Sequence, residues 1–162
     1  MSDPHQIDWR HDRVAAARQG TNPTVLGRMQ TGWAVIGDYQ RLPGYTVLLY
    51  DGDADQLLDL PREDQIGFLA DLALLGEAVA AACSALDPSF ARLNYEVLGN
   101  AYHHLHGHIR PRYQWEADDL RRGPVWRYTD LTDDAYKLDG RHDPLRKAIA
   151  AEIEKRVDQP KQ

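Results

Sequence analysis

Cysteine is almost absent from this chain, which has one among its 162 residues, Cys83. One cysteine cannot form an internal disulfide, and it excludes a zinc site built on paired cysteines. Cys83 falls on a stripe of apolar residues spaced by three or four, which is typical of a helix. Because a free cysteine packs as a small hydrophobic residue, we expect Cys83 to belong to the core.

Long apolar runs are also missing. No segment approaches the roughly 18 consecutive apolar residues that span a bilayer. Residues 1–5 are polar and acidic, whereas a signal peptide begins with basic and then apolar residues. These features predict a cytoplasmic protein that has no membrane partner.

Positive charge is in short supply, with 19 lysines and arginines against 25 acidic residues and a formal net charge of −6. An acidic chain lacks the positive face that displaces counterions from a nucleic-acid backbone. We therefore expect no nucleic-acid partner. A locally basic pocket can still bind a small anion, because the local field decides that binding.

The hydrophobic pattern predicts one α+β domain over residues 1–162. The predicted helices cover residues 8–19, 61–86 and 145–157. The predicted strands cover residues 33–37, 45–50, 91–98 and 102–109, of which the first two pair as a hairpin. Pro111 is predicted to end regular structure, and residues 113–142 to form an ordered loop with aromatic anchors.

Four of the seven histidines lie within residues 103–108. Side chains alternate along a strand, so His104, His106 and His108 are predicted to share one face. Three imidazoles in line suit either a metal site or the transfer of a phosphoryl or nucleotidyl group to a histidine. The nearby Arg110 and Arg112 favour an anion, so we expect both to contact phosphate and expect no metal ligands.

The segment 104–110 resembles the alternating histidine signature of the histidine triad superfamily. Four surrounding segments look like the branch of small bacterial members that act on diadenosine polyphosphates: Leu93-Asn94, Leu98-Gly99-Asn100, Pro111-Arg112-Tyr113 and Pro124-Val125-Trp126. The resemblance covers about residues 20–128, which it implies to be the core of the domain, and it leaves 129–162 as a C-terminal extension with a helix. It implies an antiparallel sheet of about five strands with two main helices, to which terminal helices are added here, and a homodimer in which two sheets can join.

The resemblance also implies a mechanism. The middle histidine, His106, is the nucleophile that attacks the α-phosphate of a nucleotide, and water then releases the nucleoside monophosphate. The flanking His104 and His108 hydrogen-bond the imidazole or the phosphate oxygens. An imidazole suits this role because it has a neutral, nucleophilic form near neutral pH.

The implied pocket lies outside the triad. Asn94, Gly99 and Asn100 match positions that line the phosphate and ribose site, and Asp38 matches a residue that contacts the ribose. This chain departs from the family pattern at Gly107, where a larger apolar residue is usual. Because Gly107 is predicted to lie opposite the histidines, we expect a consequence for packing rather than for catalysis.

These features predict a nucleotide hydrolase or transferase that cleaves a phosphoanhydride or phosphoramidate. It requires no cofactor, although a divalent cation can accompany a polyphosphate substrate. Two alternatives stay open at this point: a nucleotide-binding sensor or interaction protein with little turnover, and a metalloenzyme with histidine ligands. The sequence does not decide the substrate, because specificity depends on the shape of the pocket around the triad.

Overall fold

A computed structural model describes residues 8–158, so the expectation for residues 1–5 lies outside the described residues. The chain has the predicted α+β fold, built on one antiparallel sheet in the order β1-β2-β3-β5-β4. The strands are β1 (Val25–Arg28), β2 (Gly32–Ile36), β3 (Thr46–Tyr50), β4 (Phe90–Glu96) and β5 (His106–Tyr113). As predicted, β2 and β3 pair as a hairpin.

The helices are α1 (Arg13–Arg18), α2 (Arg62–Leu86), α3 (Asp118–Arg121) and α4 (Asp143–Val157), joined by short 3-10 turns. The first helix is shorter than the predicted 8–19, because the Asp12 side chain caps it by accepting a hydrogen bond from the Ala15 amide. The second helix carries Glu63 and Asp64 in its first turn, where carboxylates complement the helix dipole.

The alternation of side chains along the strands divides the molecule into two layers of packing. On one face, Leu48 and Ile109 belong to the main core together with the buried side chains of α2 and α4. On the other face, Val47 and Leu49 pack against Val14 of α1. The sheet therefore has a helix on each side, and its α1 side is the less fully covered.

The second helix forms the main core. Its buried side chains include Phe68, Leu72, Leu75 and Val79, and Cys83 is 1% exposed, which confirms the prediction for the cysteine. The expectation that no segment could span a bilayer needs correction, because α2 is long and apolar enough by length and composition. Half of its apolar window is buried inside the fold, as in the core helix of a globular domain.

Gly107 explains how closely α2 approaches the sheet. A Cβ atom added to Gly107 would lie 2.7 Å from Cδ1 of Leu72. The glycine thus allows the helix to pack on β5, on the face opposite His106 and His108. The predicted consequence for packing is confirmed.

The last strand begins and ends four residues later than the predicted 102–109, and Pro111 lies within it rather than ending regular structure. Pro111 fits within the strand because the two neighbouring strands, β3 and β4, pair with different lengths of β5. β3 pairs with β5 only as far as Ile109, whereas β4 continues to pair through Pro111. On the β3 side the strand is an open edge at this point, and a residue without an N–H is tolerated there.

The loop at residues 113–142 is ordered by short helices and by a buried cluster that contains Tyr113, Val125 and Tyr128. The expected aromatic anchor is Tyr128, whereas Trp126 is 63% exposed. The last part of this loop pairs with the segment after β2. Tyr39 forms a β-bridge with Lys137, and the Leu138 amide donates to the carbonyl of Asp38.

Candidate active site

A cavity of about 380 Å³ lies on the α1 side of the sheet. Val35, Val47 and Leu49 supply apolar lining, and His106 and His108 also face this space. The pairing of strands produces this arrangement, because His106 lies opposite Leu49 and His108 opposite Val47. Directly opposed residues share one face of a sheet.

The orientation of His106 is set by the main chain. Its Nδ1 atom lies 2.6 Å from the carbonyl oxygen of His104. A carbonyl can only accept, so Nδ1 carries the proton and Nε2 keeps its lone pair. His106 is 7% exposed and lines the cavity, which leaves room for a ligand beside the imidazole.

The predicted sharing of one strand face is wrong for His104. The strand begins at His106, and the preceding residues turn, with the Leu105 amide bound to the carbonyl of Ala54. The His104 side chain is held by its Nε2 atom, which lies 2.8 Å from the carbonyl oxygen of Tyr50. His104 therefore contributes to the site through its main-chain carbonyl. Its side chain joins the segment before β5 to the end of β3.

His108 is bound to a tyrosine that the sequence interpretation did not select. Its Nδ1 atom lies 2.8 Å from the Tyr45 hydroxyl, and the two rings stack at 5.9 Å between centroids. Burial, with smaller contributions from His106 and Arg110, lowers the pKa of His108 to about 3. His108 is therefore neutral at physiological pH. Burial also raises the pKa of Tyr45, so its hydroxyl keeps its proton.

Tyr102 is a second aromatic residue of the site that sequence reasoning missed. Its ring centroid lies 5.8 Å from that of His106, and the side chain is 44% exposed at the cavity. The available signal was an aromatic residue two positions before His104. For Tyr45 it was an aromatic residue directly after the Pro43-Gly44 turn.

Asp38 lines the cavity, as expected for a residue of a nucleotide pocket. Its two carboxylate oxygens accept hydrogen bonds from the Arg13 guanidinium at 3.1 and 2.5 Å. Arg10 lines the same cavity. Because α1 and the turn before it supply these two arginines, the sequence gave no reason to place them near the triad.

Arg112 is not available to phosphate, contrary to the prediction. Its side chain is 3% exposed, and its guanidinium donates to the Glu116 carboxylate, the side-chain oxygen of Asn94 and the carbonyls of Leu120 and Gly123. These bonds use all five N–H groups of the arginine. Arg112 and Asn94 together fasten the loop after β5 to the sheet.

Arg110 lies beside the triad cavity rather than in it. Its guanidinium carbon lies 3.6 Å from the centroid of the Tyr45 ring, and its Nε lies 3.6 Å from a carboxylate oxygen of Glu96. The arginine lines a neighbouring cavity of about 190 Å³ that shares Asp38 and Tyr45 with the first. The structure thus brings Arg110 against Tyr45, not against His106.

Gly99 and Asn100 lie elsewhere. They line a separate cavity together with Asp55 and His103, and Gly99 has a φ of +139°, which favours glycine. Of the residues predicted to surround the phosphate and ribose, only Asp38 lines the triad cavity.

The metal hypothesis lacks a ligand cluster. Within residues 8–158, no three side chains of His, Cys, Asp or Glu are arranged to hold one metal ion. Two of the imidazole nitrogens that could serve as ligands, Nε2 of His104 and Nδ1 of His106, are already bound to carbonyl oxygens.

No protein-family model matches the sequence, and no curated protein has significant sequence similarity to it. Solved structures are similar in fold. A histidine triad protein from Sinorhizobium meliloti 1021 has a TM-score of 0.66 and 18% identity, over 94% of this chain and 96% of that one. A histidine triad protein from Bradyrhizobium japonicum has a TM-score of 0.64 and 18% identity, over 87% and 95%.

A diadenosine triphosphate hydrolase from Plasmodium falciparum, solved in complex with cyclomarin A, is less similar. Its TM-score is 0.50 and its identity 14%, over 83% of this chain and 79% of that one. Together with the sheet and the two histidines that line its cavity, these similarities define the class: the chain has the histidine triad fold.

Proposed function

We propose that the protein is a nucleotide hydrolase or transferase that cleaves its substrate at the α-phosphate through a nucleotidyl intermediate on His106. The observation that carries this proposal is the bond from His106 Nδ1 to the His104 carbonyl, which in the neutral ring leaves the lone pair on Nε2 of a histidine that lines the cavity. A positioned, unprotonated nitrogen is what nucleophilic catalysis by histidine requires.

The proposed reaction has two displacements. In the first, Nε2 of His106 bonds to the α-phosphorus, and the bond to the leaving group breaks with its electron pair. The imidazole now carries both a phosphoryl group and the Nδ1 proton, and the His104 carbonyl stabilises its positive charge. In the second, water attacks the phosphorus and releases the nucleoside monophosphate and free His106.

The surroundings of the triad support a nucleoside as the bound part. The cavity volume of about 380 Å³ falls within the range of about 300–1,000 Å³ common for small-molecule sites. Val35, Val47 and Leu49 offer an apolar wall for a base, and Asp38 offers acceptors for sugar hydroxyls. These contacts also suit the alternative, a nucleotide-binding sensor with little turnover.

For the substrate class we propose dinucleoside polyphosphates, with nucleoside phosphoramidates as the second candidate. The support is the resemblance of the segments at 93–100, 104–113 and 124–126 to the branch that acts on diadenosine polyphosphates. The similarity of fold to the diadenosine triphosphate hydrolase agrees with it. We propose that no resident cofactor is needed, that a divalent cation accompanies a polyphosphate substrate, and that the protein acts in the cytoplasm.

We also propose a homodimer formed along β4. This strand is an edge of the sheet, and unpaired strand edges readily pair with another chain. Tyr95 on the strand and Leu98 after it are 49% and 46% exposed, and Ile66 and Leu69 on α2 are 57% and 44% exposed. A second copy would cover these apolar side chains.

The test is product analysis after metal-stripped protein is incubated with diadenosine tetraphosphate or an adenosine phosphoramidate. The variant is His106→Ala, and the matched control is His103→Ala, which removes an exposed histidine three residues away. We expect wild type and the control to release AMP and the variant to release none. Binding without turnover would favour the sensor, and activity that returns only with a transition metal would make the histidines ligands.

A further inference from the structure

We infer that Tyr45 is a positioning residue that holds His108 in the tautomer with its proton on Nε2, so that His108 donates that proton toward the leaving group. This inference rests on the proposed function, because it assigns His108 a task in the first displacement. Tyr45 acts only through the imidazole that it contacts.

The first step is the geometry of the contact. The Tyr45 hydroxyl lies 2.8 Å from Nδ1 of His108, and the two rings are inclined by only 19°. Tyr45 follows the Pro43-Gly44 turn directly before β3, and His108 lies on the neighbouring β5. Two adjacent strands thus fix the two partners.

The second step is the direction of the hydrogen bond. If His108 Nδ1 donated to the tyrosine oxygen, the hydroxyl proton would need another acceptor. The only hydrogen bond of the Tyr45 side chain to residues 8–158 is the one to His108. The Tyr45 side chain is partly buried, and a hydroxyl in such a place is better satisfied when it donates to a fixed acceptor. We therefore assign the donor role to the hydroxyl and the acceptor role to Nδ1. A neutral imidazole carries one proton, which then resides on Nε2.

The third step is the state of the ring. Burial, His106 and Arg110 lower the pKa of His108, so the ring is neutral at physiological pH. Only a neutral imidazole has two tautomers, so one of them must be present. The charged and titratable groups around the pair are His106 and Arg110 on the same strand, Glu96 opposite His108 on β4, and Asp38 and Arg13 at the cavity. Arg110 covers the Tyr45 ring, which limits its rotation.

The fourth step is the chemistry. In the first displacement, the leaving oxygen or nitrogen takes the electron pair of the breaking bond. The Nε2–H of His108 supplies the proton that this atom needs, while the proton of the Tyr45 hydroxyl moves to Nδ1. The imidazole stays neutral, and the negative charge rests transiently on the Tyr45 oxygen, beside the Arg110 guanidinium. Water that attacks in the second displacement loses one proton to Nε2, and Nδ1 returns its proton to the Tyr45 oxygen, which restores the starting tautomer.

The direct test is the nitrogen-15 spectrum of His108, because protonated and unprotonated ring nitrogens of a neutral imidazole resonate far apart. We expect wild type to show the proton on Nε2, and Tyr45→Phe to show a mixture of tautomers. The matched control is Tyr39→Phe, which removes a hydroxyl with no hydrogen bond to residues 8–158. A proton on Nδ1 of His108 in wild type would overturn the inference, even if Tyr45→Phe fails to fold.

The functional test compares leaving groups. An adenosine phosphoramidate needs a proton on its departing amine, whereas an adenosine 5′-(p-nitrophenyl phosphate) releases a stable anion. General acid catalysis contributes about 10²–10⁴-fold, so we expect Tyr45→Phe to lower kcat about 10–100-fold for the phosphoramidate and less than about 3-fold for the nitrophenyl ester. KM should change little for either.

Equal losses with the two substrates would mean that Tyr45 serves structure alone, and would overturn the inference. If wild type turns over neither substrate, the proposed function fails, and the nitrogen-15 measurement still decides whether Tyr45 fixes the tautomer of His108. The two failures are therefore distinguishable.

Discussion

The Nδ1 atom of His106 is bound to the main-chain carbonyl of His104, at 2.6 Å, and not to any side chain. The Nδ1 proton, which orients the His106 imidazole, is therefore bound to a main-chain oxygen. Substitution of the His104 side chain does not remove that oxygen. The His104 imidazole has a different partner, the carbonyl of Tyr50. The first two histidines of the triad are thus not equivalent.

This difference predicts unequal effects of two alanine substitutions. His106→Ala should lower kcat by at least about 10⁴-fold, as expected when a nucleophile is lost. His104→Ala keeps the carbonyl and should lower kcat by only about 10-fold, because the segment before β5 loses one anchor. Steady-state kinetics of both purified variants checks this, and equal losses would show that the His104 side chain takes part directly.

The depressed pKa of His108 predicts a pH-dependent stability. An unfolded histidine has a pKa near 6.5, whereas burial lowers that of folded His108 to about 3. Between these values the unfolded chain binds a proton that the folded chain does not, so the free energy of unfolding rises with pH through this window and is then constant. The slope from one such group cannot exceed about 1.4 kcal/mol per pH unit.

Urea unfolding at several pH values between 4 and 7.5 measures this slope. His108→Gln should make the profile flatter than that of wild type, and the exposed His103→Gln serves as the control. A His108→Gln profile parallel to that of wild type would show that His108 keeps an ordinary pKa in the folded protein.

Arg112 is predicted to support stability rather than phosphate binding. Arg112→Met leaves Glu116, whose side chain is fully buried, without its cationic partner, and should lower the free energy of unfolding by about 3–5 kcal/mol. Arg122→Met removes an arginine whose side chain is 76% exposed and should cost at most about 1 kcal/mol. The melting temperatures of Arg112→Met and Arg122→Met, compared with that of wild type, measure this difference. An Arg112→Met protein with unchanged stability but weakened AMP binding would restore the role of phosphate ligand.

Gly107 is predicted to be sensitive to a single added methyl group. Gly107→Ala brings a Cβ within 2.7 Å of Leu72 and should lower the free energy of unfolding by about 1–3 kcal/mol. The double variant Gly107→Ala, Leu72→Val should recover part of that loss. Gly140→Ala is the control, because nothing lies within 4 Å of its added Cβ. Denaturant unfolding of wild type, the single variants Gly107→Ala and Leu72→Val and the double variant measures the coupling, and additive effects would argue against this contact.

The sequence alone predicted the elements whose patterns are long. The apolar stripe of α2, the β2–β3 hairpin and α4 all lie close to their predicted positions, because each carries a clear period and a turn or cap at its ends. The first strand was missed, since Val25–Arg28 is four residues long and contains a glycine. A pattern that short does not distinguish a strand from a loop.

The position of the last strand could not be predicted for a different reason. Proline is read as the end of regular structure, yet Pro111 lies inside β5 where the neighbouring β3 has already ended. Only the lengths of the partner strands reveal that a missing N–H is harmless there. The same limit applies to the alternation rule, which holds for His106 and His108 but fails for His104, just before the strand.

The identity of the triad could be predicted, whereas its surroundings could not. Arg112 has the residue type of a phosphate ligand and the same strand alternation as the triad. However, it forms a buried salt bridge with Glu116, four residues later. Tyr45 contacts His108, and Arg13 lines the same cavity, although both come from other parts of the chain. No local sequence pattern predicts such contacts. Residue type thus predicts the chemistry of a side chain, and the fold decides its partner.

The most direct test of the account is the isolation of the nucleotidyl intermediate. Protein mixed with a substrate is quenched in alkali, where phosphorus–nitrogen bonds of histidine survive, digested, and analysed by mass spectrometry. The account predicts that the peptide containing His106 gains the mass of one nucleoside monophosphate less water, and that His103→Ala forms the same adduct on His106. Hydrolysis with no adduct on His106 at any time, or an adduct on another residue, would contradict the central claim.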